Sequence, residues 1–191
     1  PVKSLLLFVV VVVLGFLIHI TFVYQAWILL FARIPLKTFW KAAREPVSYG
    51  FGANSSLATL PITLNALDKL KVSRSASTLG ACVGTNLNND GIILYEAMAV
   101  MFIAQAMGID LSLWQQIGMI LTCLIAAMGV AGVPEAGFVS LAVILATMNL
   151  PLDLLPLLLT VDWLLGRLRT LVNVLSDMTV SIILHRLESK E

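Results

Sequence analysis

Apolar residues gather in five long runs along this chain, and every run after the first is interrupted by polar groups in its own way. Residues 4–32 are almost unbroken, with His19 and Gln25 as the main interruptions. As a helix they would measure about 43 Å, enough to span a bilayer with tilt. Residues 46–67 carry Gly50, Gly52, Asn54, Ser55, Ser56, Thr59 and Pro61 near their middle. Residues 75–107 are broken by Gly84, Thr85, Asn86, Leu87, Asn88, Asn89, Asp90 and Gly91. Residues 111–147 are broken by a stretch that runs from Gly129 through Gly132, Val133, Pro134 and Glu135 to Gly137. Residues 152–184 hold Asp162, Gly166, Arg169, Asn173 and Asp177. At roughly 100° per residue these five fall within about an 80° arc of one helix face.

Each interruption predicts a different element. Gly and Pro break a helix, and hydroxyls and amides can satisfy the backbone groups so freed. Residues 46–67 lie between two basic clusters, Arg33, Lys37, Lys41 and Arg44 before and Lys69, Lys71 and Arg74 after. By the positive-inside rule both clusters are cytoplasmic, which favours a re-entrant hairpin over a span. The asparagines of 84–91 predict an unwound turn inside a discontinuous helix, where carbonyls and side chains can meet a cation. Residues 111–147 have no basic flank and predict a second hairpin entering from the outer side. The predicted order is a transmembrane helix over 1–32, a cytoplasmic basic loop over 33–44, and a re-entrant hairpin over 45–71. A broken transmembrane helix over 72–108, a second re-entrant hairpin over 109–150 and a polar-striped transmembrane helix over 151–187 follow. Hairpin plus helix occurs twice with opposed entry, an inverted repeat in topology. Opposed broken segments near the midplane point to a transporter binding site.

Composition agrees with this pattern. The chain has 191 residues, 59% hydrophobic and only 12% charged, against about 25% charged in soluble domains. The fold class is therefore all-α and integral to a membrane. A net charge of +1 argues against a nucleic-acid partner. Cys82 and Cys123 lie far apart in apolar runs and give neither metal spacing nor a disulfide framework. The chain begins at Pro1, directly before a membrane segment, as one half of something larger would. Buried ionisable groups at membrane depth cost about 2.5–3.5 kcal/mol each and are functional by default. Asp162, Arg169 and Asp177 must be paired, hydrated or used, and a purely structural ion pair is the bland alternative.

The residues then resemble a family. The turn Asn88, Asn89, Asp90, Gly91, the loop 132–137, and the series Asp162, Arg169, Thr170, Asn173, Asp177 are similar to the dicarboxylate/amino acid:cation symporters. The tip Ser55, Ser56, Leu57, Ala58, Thr59, Leu60, Pro61 matches their first hairpin. That family includes archaeal aspartate and animal glutamate transporters. The resemblance covers essentially the whole chain but only the family's C-terminal half. It implies a transport-domain core that is homotrimeric when complete, multi-pass in the cell membrane, with lipid contacts and no organic cofactor. It also implies that a small anionic substrate moves with Na⁺, H⁺ or both. Arg169 would bind the substrate's side-chain carboxylate, and a buried guanidinium offers a two-pronged fork for that task. Ser56, Val133, Gly137, Asp162 and Asn173 would complete the substrate site. Gly84, Asn88, Asn173 and Asp177 match one sodium site; Asn88 and Asp90 match a second. Glu96 matches a proton-carrying glutamate of the animal transporters, with a hydrogen-bonded structural role as the alternative.

Departures from the family pattern bear on the substrate. Gly166 stands where amino acid transporters carry an aspartate for the substrate's amino group. Ile92, Asn89, Ala127, Val130 and Ser176 replace a threonine, a methionine, two hydroxyl residues and a glycine. Arg169 without that aspartate shifts the expectation toward a C4 dicarboxylate, rather than or as well as aspartate or glutamate. An uncoupled relative serving as a passive anion pathway is the second reading. A membrane enzyme is the third, and it lacks a base placed to activate Ser55 or Ser56.

Overall fold

The computed structural model describes residues 2–130 and 136–189, and the regular structure among them is entirely helical, without strands. Helix α1 covers residues 2–32. It is regular over Val2–Ile18 and then passes through π-helical stretches at His19–Tyr24 and Ile28–Ala32. Arg33 (φ 54°) ends it in the left-handed region. Lys3–Ala32 and Arg74–Ala106 are the two segments of the described residues long and apolar enough to cross a membrane.

Helix α2 (Leu36–Ala53) begins nine residues before the expected hairpin, inside the segment expected to be a basic loop. The reason is an amphipathic stripe. Phe39, Ala43, Pro46 and Gly50 are buried at helical spacing, while Lys37, Lys41 and Arg44 face outward. Pro35 supplies the carbonyl that takes the N–H groups of Thr38 and Phe39 and starts the helix. Neither Pro46 nor Pro61 breaks its helix. The break falls at Asn54, whose positive φ of 51° closes α2 with a bond from its N–H to the Gly50 carbonyl. Ser55 then caps α3 (Ser56–Lys69), accepting from the Ala58 N–H at 3.0 Å. Helices α2 and α3 pack against one another and against the final helix.

Helix α4 (residues 74–87) and α5 (Asp90–Ala106) are one rod interrupted at Asn88 and Asn89, both outside helical geometry at ψ of 50° and 43°. The expected unwound turn is thus confined to two residues. A capping box, Ser112 with Gln115, opens α6 (Leu113–Met128). Helix α7 (Ala136–Thr147) packs back on α6 and α5. The final helix α8 (Leu155–Glu188) is 34 residues long, about 51 Å. It touches α1 through α5 and is the axis of the fold. The broken rod lies directly on it. A Cβ on Gly80 would overlap the Ser181 backbone, and one on Gly91 would overlap the Arg169 carbonyl. Near its C-terminus, Ser73 Oγ donates to Glu188 at 2.6 Å and the Ser73 N–H donates to His185 Nδ1 at 3.2 Å. These bonds latch the end of α8 to the turn before α4.

Candidate functional site

The five stripe residues of α8 all point inward. Asp162, Arg169, Asn173 and Asp177 are buried, as is Gly166. Arg169 and Asp162 lie two turns apart and pair at 2.7 Å, with only 6% of each side chain exposed. The guanidinium also stacks over the Tyr95 ring, 4.2 Å from its centroid. Arg169 Nη1 has no hydrogen-bond partner among the described residues. It faces Gly137, where a Cβ would stand 3.1 Å from that nitrogen. A buried donor left unmade costs about 1–3 kcal/mol or more for a charged group. A carboxylate brought to this edge would meet the missing acceptor.

Of the expected substrate residues, Gly137 therefore lies against Arg169. Ser56 is buried at the start of α3. The turn between α2 and α3 reaches α8 through Asn54, whose Oδ1 accepts from Thr170 Oγ1 at 3.4 Å. Val133 lies outside the described residues.

The expected cation residues divide into two groups. Asp177 accepts from Asn88 Nδ2 at 3.2 Å and from Thr85 Oγ1 at 3.4 Å. Asn88 donates to the Gly80 carbonyl at 2.8 Å, and its own N–H meets the Gly84 carbonyl at 2.6 Å. A Cβ on Gly84 would stand 2.9 Å from Asp177 Oδ1, so only glycine lets the carbonyl rung and the carboxylate approach. Asn173 joins the same break one turn away. Its Oδ1 accepts from the Gly91 N–H at 2.8 Å and its Nδ2 donates to Asn89 Oδ1 at 3.2 Å. Gly84, Asn88, Asn173 and Asp177 thus surround the break with carbonyl, amide and carboxylate oxygens. Hard cations take such ligands.

Asp90 belongs to the other side of the break. Tyr24 donates to it at 2.8 Å and Ser176 at 2.9 Å, and His19 Nε2 lies 3.5 Å away. The π-helical stretch of α1 makes this possible by placing the His19 and Tyr24 rings edge to face at 4.7 Å. Glu96 is fully buried on α5 and accepts from Ser140 Oγ of α7, while its Oε2 has no partner among the described residues.

Several of these partners escaped the sequence reading. Tyr24, Tyr95 and Ser140 look like ordinary members of apolar runs, and Thr85 is read only as part of the break. Each is a hydroxyl or ring adjacent to, or at helical spacing from, a polar residue already singled out. Asn89, read as part of the break and as a departure from the family pattern, ties the break to α6 by donating to the Ala127 carbonyl at 2.8 Å.

The sequence profile of the sodium:dicarboxylate symporter family matches residues 1–187. The chain belongs to that family. It is 39% identical over 186 residues to the putative sodium-dependent excitatory amino acid transporter glt-3 of Caenorhabditis elegans, covering 97% of this chain and 35% of the relative. Against excitatory amino acid transporter 1 of Rattus norvegicus it is 37% identical over 189 residues, 98% of this chain and 35% of the relative. Against excitatory amino acid transporter 3 of Mus musculus it is 38% identical over 169 residues, 83% of this chain and 32% of the relative. The chain spans about a third of the length of the curated relatives it matches. The family is one of sodium-coupled membrane transporters, not enzymes.

Proposed function

We propose that this chain is the C-terminal core of a secondary active symporter. It would move a C4 dicarboxylate or an acidic amino acid into the cell with Na⁺, and with H⁺ through Glu96. One observation carries the reading. A single buried helix presents a guanidinium whose Nη1 has no partner among the described residues and, one to two turns on, Asn173 and Asp177 against a helix break. Anion and cation would bind along the same rigid rod, so filling one place changes the field at the other.

In this reading α2–α3 and α6–α7 are re-entrant hairpins of an inverted repeat, and α4–α5 is the discontinuous helix. Ser56, Val133, Gly137, Asp162, Arg169 and Asn173 form the substrate site. Gly84, Asn88, Asn173 and Asp177 hold one sodium ion, and Asp90 belongs to a second site. The complete protein is a homotrimer in the cell membrane, and this domain moves against a scaffold. Arg169 without a carboxylate at Gly166 favours a C4 dicarboxylate.

The deciding experiment is uptake of labelled succinate and aspartate by the protein expressed from its native coding sequence, with and without sodium. Sodium-dependent succinate uptake is expected. Aspartate uptake without succinate uptake would sink the dicarboxylate assignment. Uptake independent of sodium would favour the second reading, an uncoupled anion pathway, which Gly166, Ile92 and Val130 motivate. Glu96→Gln should leave substrate exchange intact and remove the pH dependence of net uptake; unchanged pH dependence would dismiss the proton role.

A further inference from the structure

Asn54 and Gly166 meet across the substrate site. Asn54 ends α2 in the left-handed conformation, φ 51°, and so turns its amide toward α8. A Cβ built on Gly166 would stand 3.1 Å from Asn54 Oδ1, 3.3 Å from Asn54 Nδ2 and 3.2 Å from Arg169 Nη2. The amide therefore already occupies the space that a side chain at position 166 would enter, right beside the guanidinium. What it brings there is neutral.

Among the described residues, the charges around it leave no free carboxylate for a ligand cation. Asp162 is committed to Arg169 at 2.7 Å. Glu96 is 0% exposed and takes the Ser140 hydroxyl. An ammonium group carried into this space would be desolvated beside a guanidinium without its own counter-charge, an expensive arrangement. A hydroxyl fares differently. An amide has both a donor and an acceptor, so it satisfies a hydroxyl in either sense.

We propose that Asn54, seated over Gly166, is the specificity-determining residue for the substituent at carbon 2 of the substrate. It admits 2-hydroxy and unsubstituted C4 dicarboxylates and rejects 2-amino ones. This deepens the transport reading and rests on it.

The test titrates the protein expressed from its native coding sequence, reconstituted in liposomes with sodium, against succinate, L-malate and L-aspartate. Malate and succinate should both bind, with aspartate at least about tenfold weaker, as an unpaired buried charge requires. Asn54→Gly removes the amide and keeps the left-handed turn. It should weaken malate relative to succinate by about fivefold, the net worth of one hydrogen bond, and its succinate binding reports that it is folded. Asn54→Asp places a carboxylate in the same volume and should raise aspartate affinity while lowering that for malate. Succinate binding with an unchanged malate-to-succinate ratio in Asn54→Gly overturns the role of Asn54 and leaves the transport reading standing. Native aspartate binding as tight as malate binding does the same. If the native protein binds none of the three in sodium, the transport reading falls and this inference falls with it.

Discussion

Leu6, Phe22 and Leu30 on α1 are 65%, 69% and 65% exposed, while Asp162, Arg169, Asn173 and Asp177 on α8 are 4%, 5%, 4% and 2% exposed. These are the two longest helices of the fold, and they invert the pattern of a water-soluble protein. Only 17% of the most apolar stretch of α1 is buried, so its hydrophobic surface is turned outward from the described residues. Helix α8 hides its polar stripe at the centre, where charges can pair and amides can find backbone. The difference teaches that hydropathy marks α1 and the rod of residues 74–106 as spans but passes over the long helix with the buried polar stripe.

Substitutions on the two helices should break that comparison by very different amounts. Arg169→Ala is the most severe. It takes the guanidinium away from the buried Asp162 carboxylate, at about 3–5 kcal/mol, and removes the proposed anchor of the substrate. Thermal unfolding and succinate binding should both show the loss; wild-type binding in this variant would refute the assignment of Arg169. Next is Asp177→Asn, which keeps the shape and removes the charge. Apparent sodium affinity should fall about tenfold or more, the scale of a charged hydrogen-bond partner, with little change when substrate is measured at saturating sodium. A sodium titration overlaying wild type would remove Asp177 from the cation site. Tyr24→Phe takes away the hydroxyl that bridges Asp90 and the Val172 carbonyl at 2.8 and 3.1 Å. About 1 kcal/mol of stability should go with it, and a neutral result would mean that His19 and Ser176 suffice for Asp90. Leu6→Ala, on the outward face of α1, should stay within about 0.5 kcal/mol of wild type. A larger loss would show that this face is covered in the complete protein.

Much of this arrangement was legible in the residues. The spacing of Asp162, Gly166, Arg169, Asn173 and Asp177 placed all five on one buried face, and the asparagine-rich stretch located the break within two residues of its centre. The starts and stops of the helices were less legible. Pro46 and Pro61 look like breakers, yet tertiary packing holds both inside helices, and the break falls at Asn54, where only the backbone sign of φ reveals it. Residues 33–44 read as a loop because their charges are counted before their apolar stripe. Spacing and composition do not separate Asp90 from Asp177; only the family resemblance assigns them to different sites. Their separation depends on which side of a two-residue break each carboxylate emerges, and on α1 arriving from far away in sequence with Tyr24.

The break at Asn88 and Asn89 also has an electrical consequence. It gives the rod of residues 74–106 two extra termini in its middle. The carbonyl end of α4 points its partial negative charge, equivalent to about half an elementary charge for a long helix, toward the side where Asp177 lies. The amide end of α5 opens with Asp90 and lends its N–H at Gly91 to Asn173. In the proposed cation site the carbonyl dipoles would thus add to the attraction of Asp177, the single carboxylate among Gly84, Asn88, Asn173 and Asp177. Replacing side chains one at a time would leave that field in place. Only a change that rejoins α4 to α5 as an unbroken helix would switch it off.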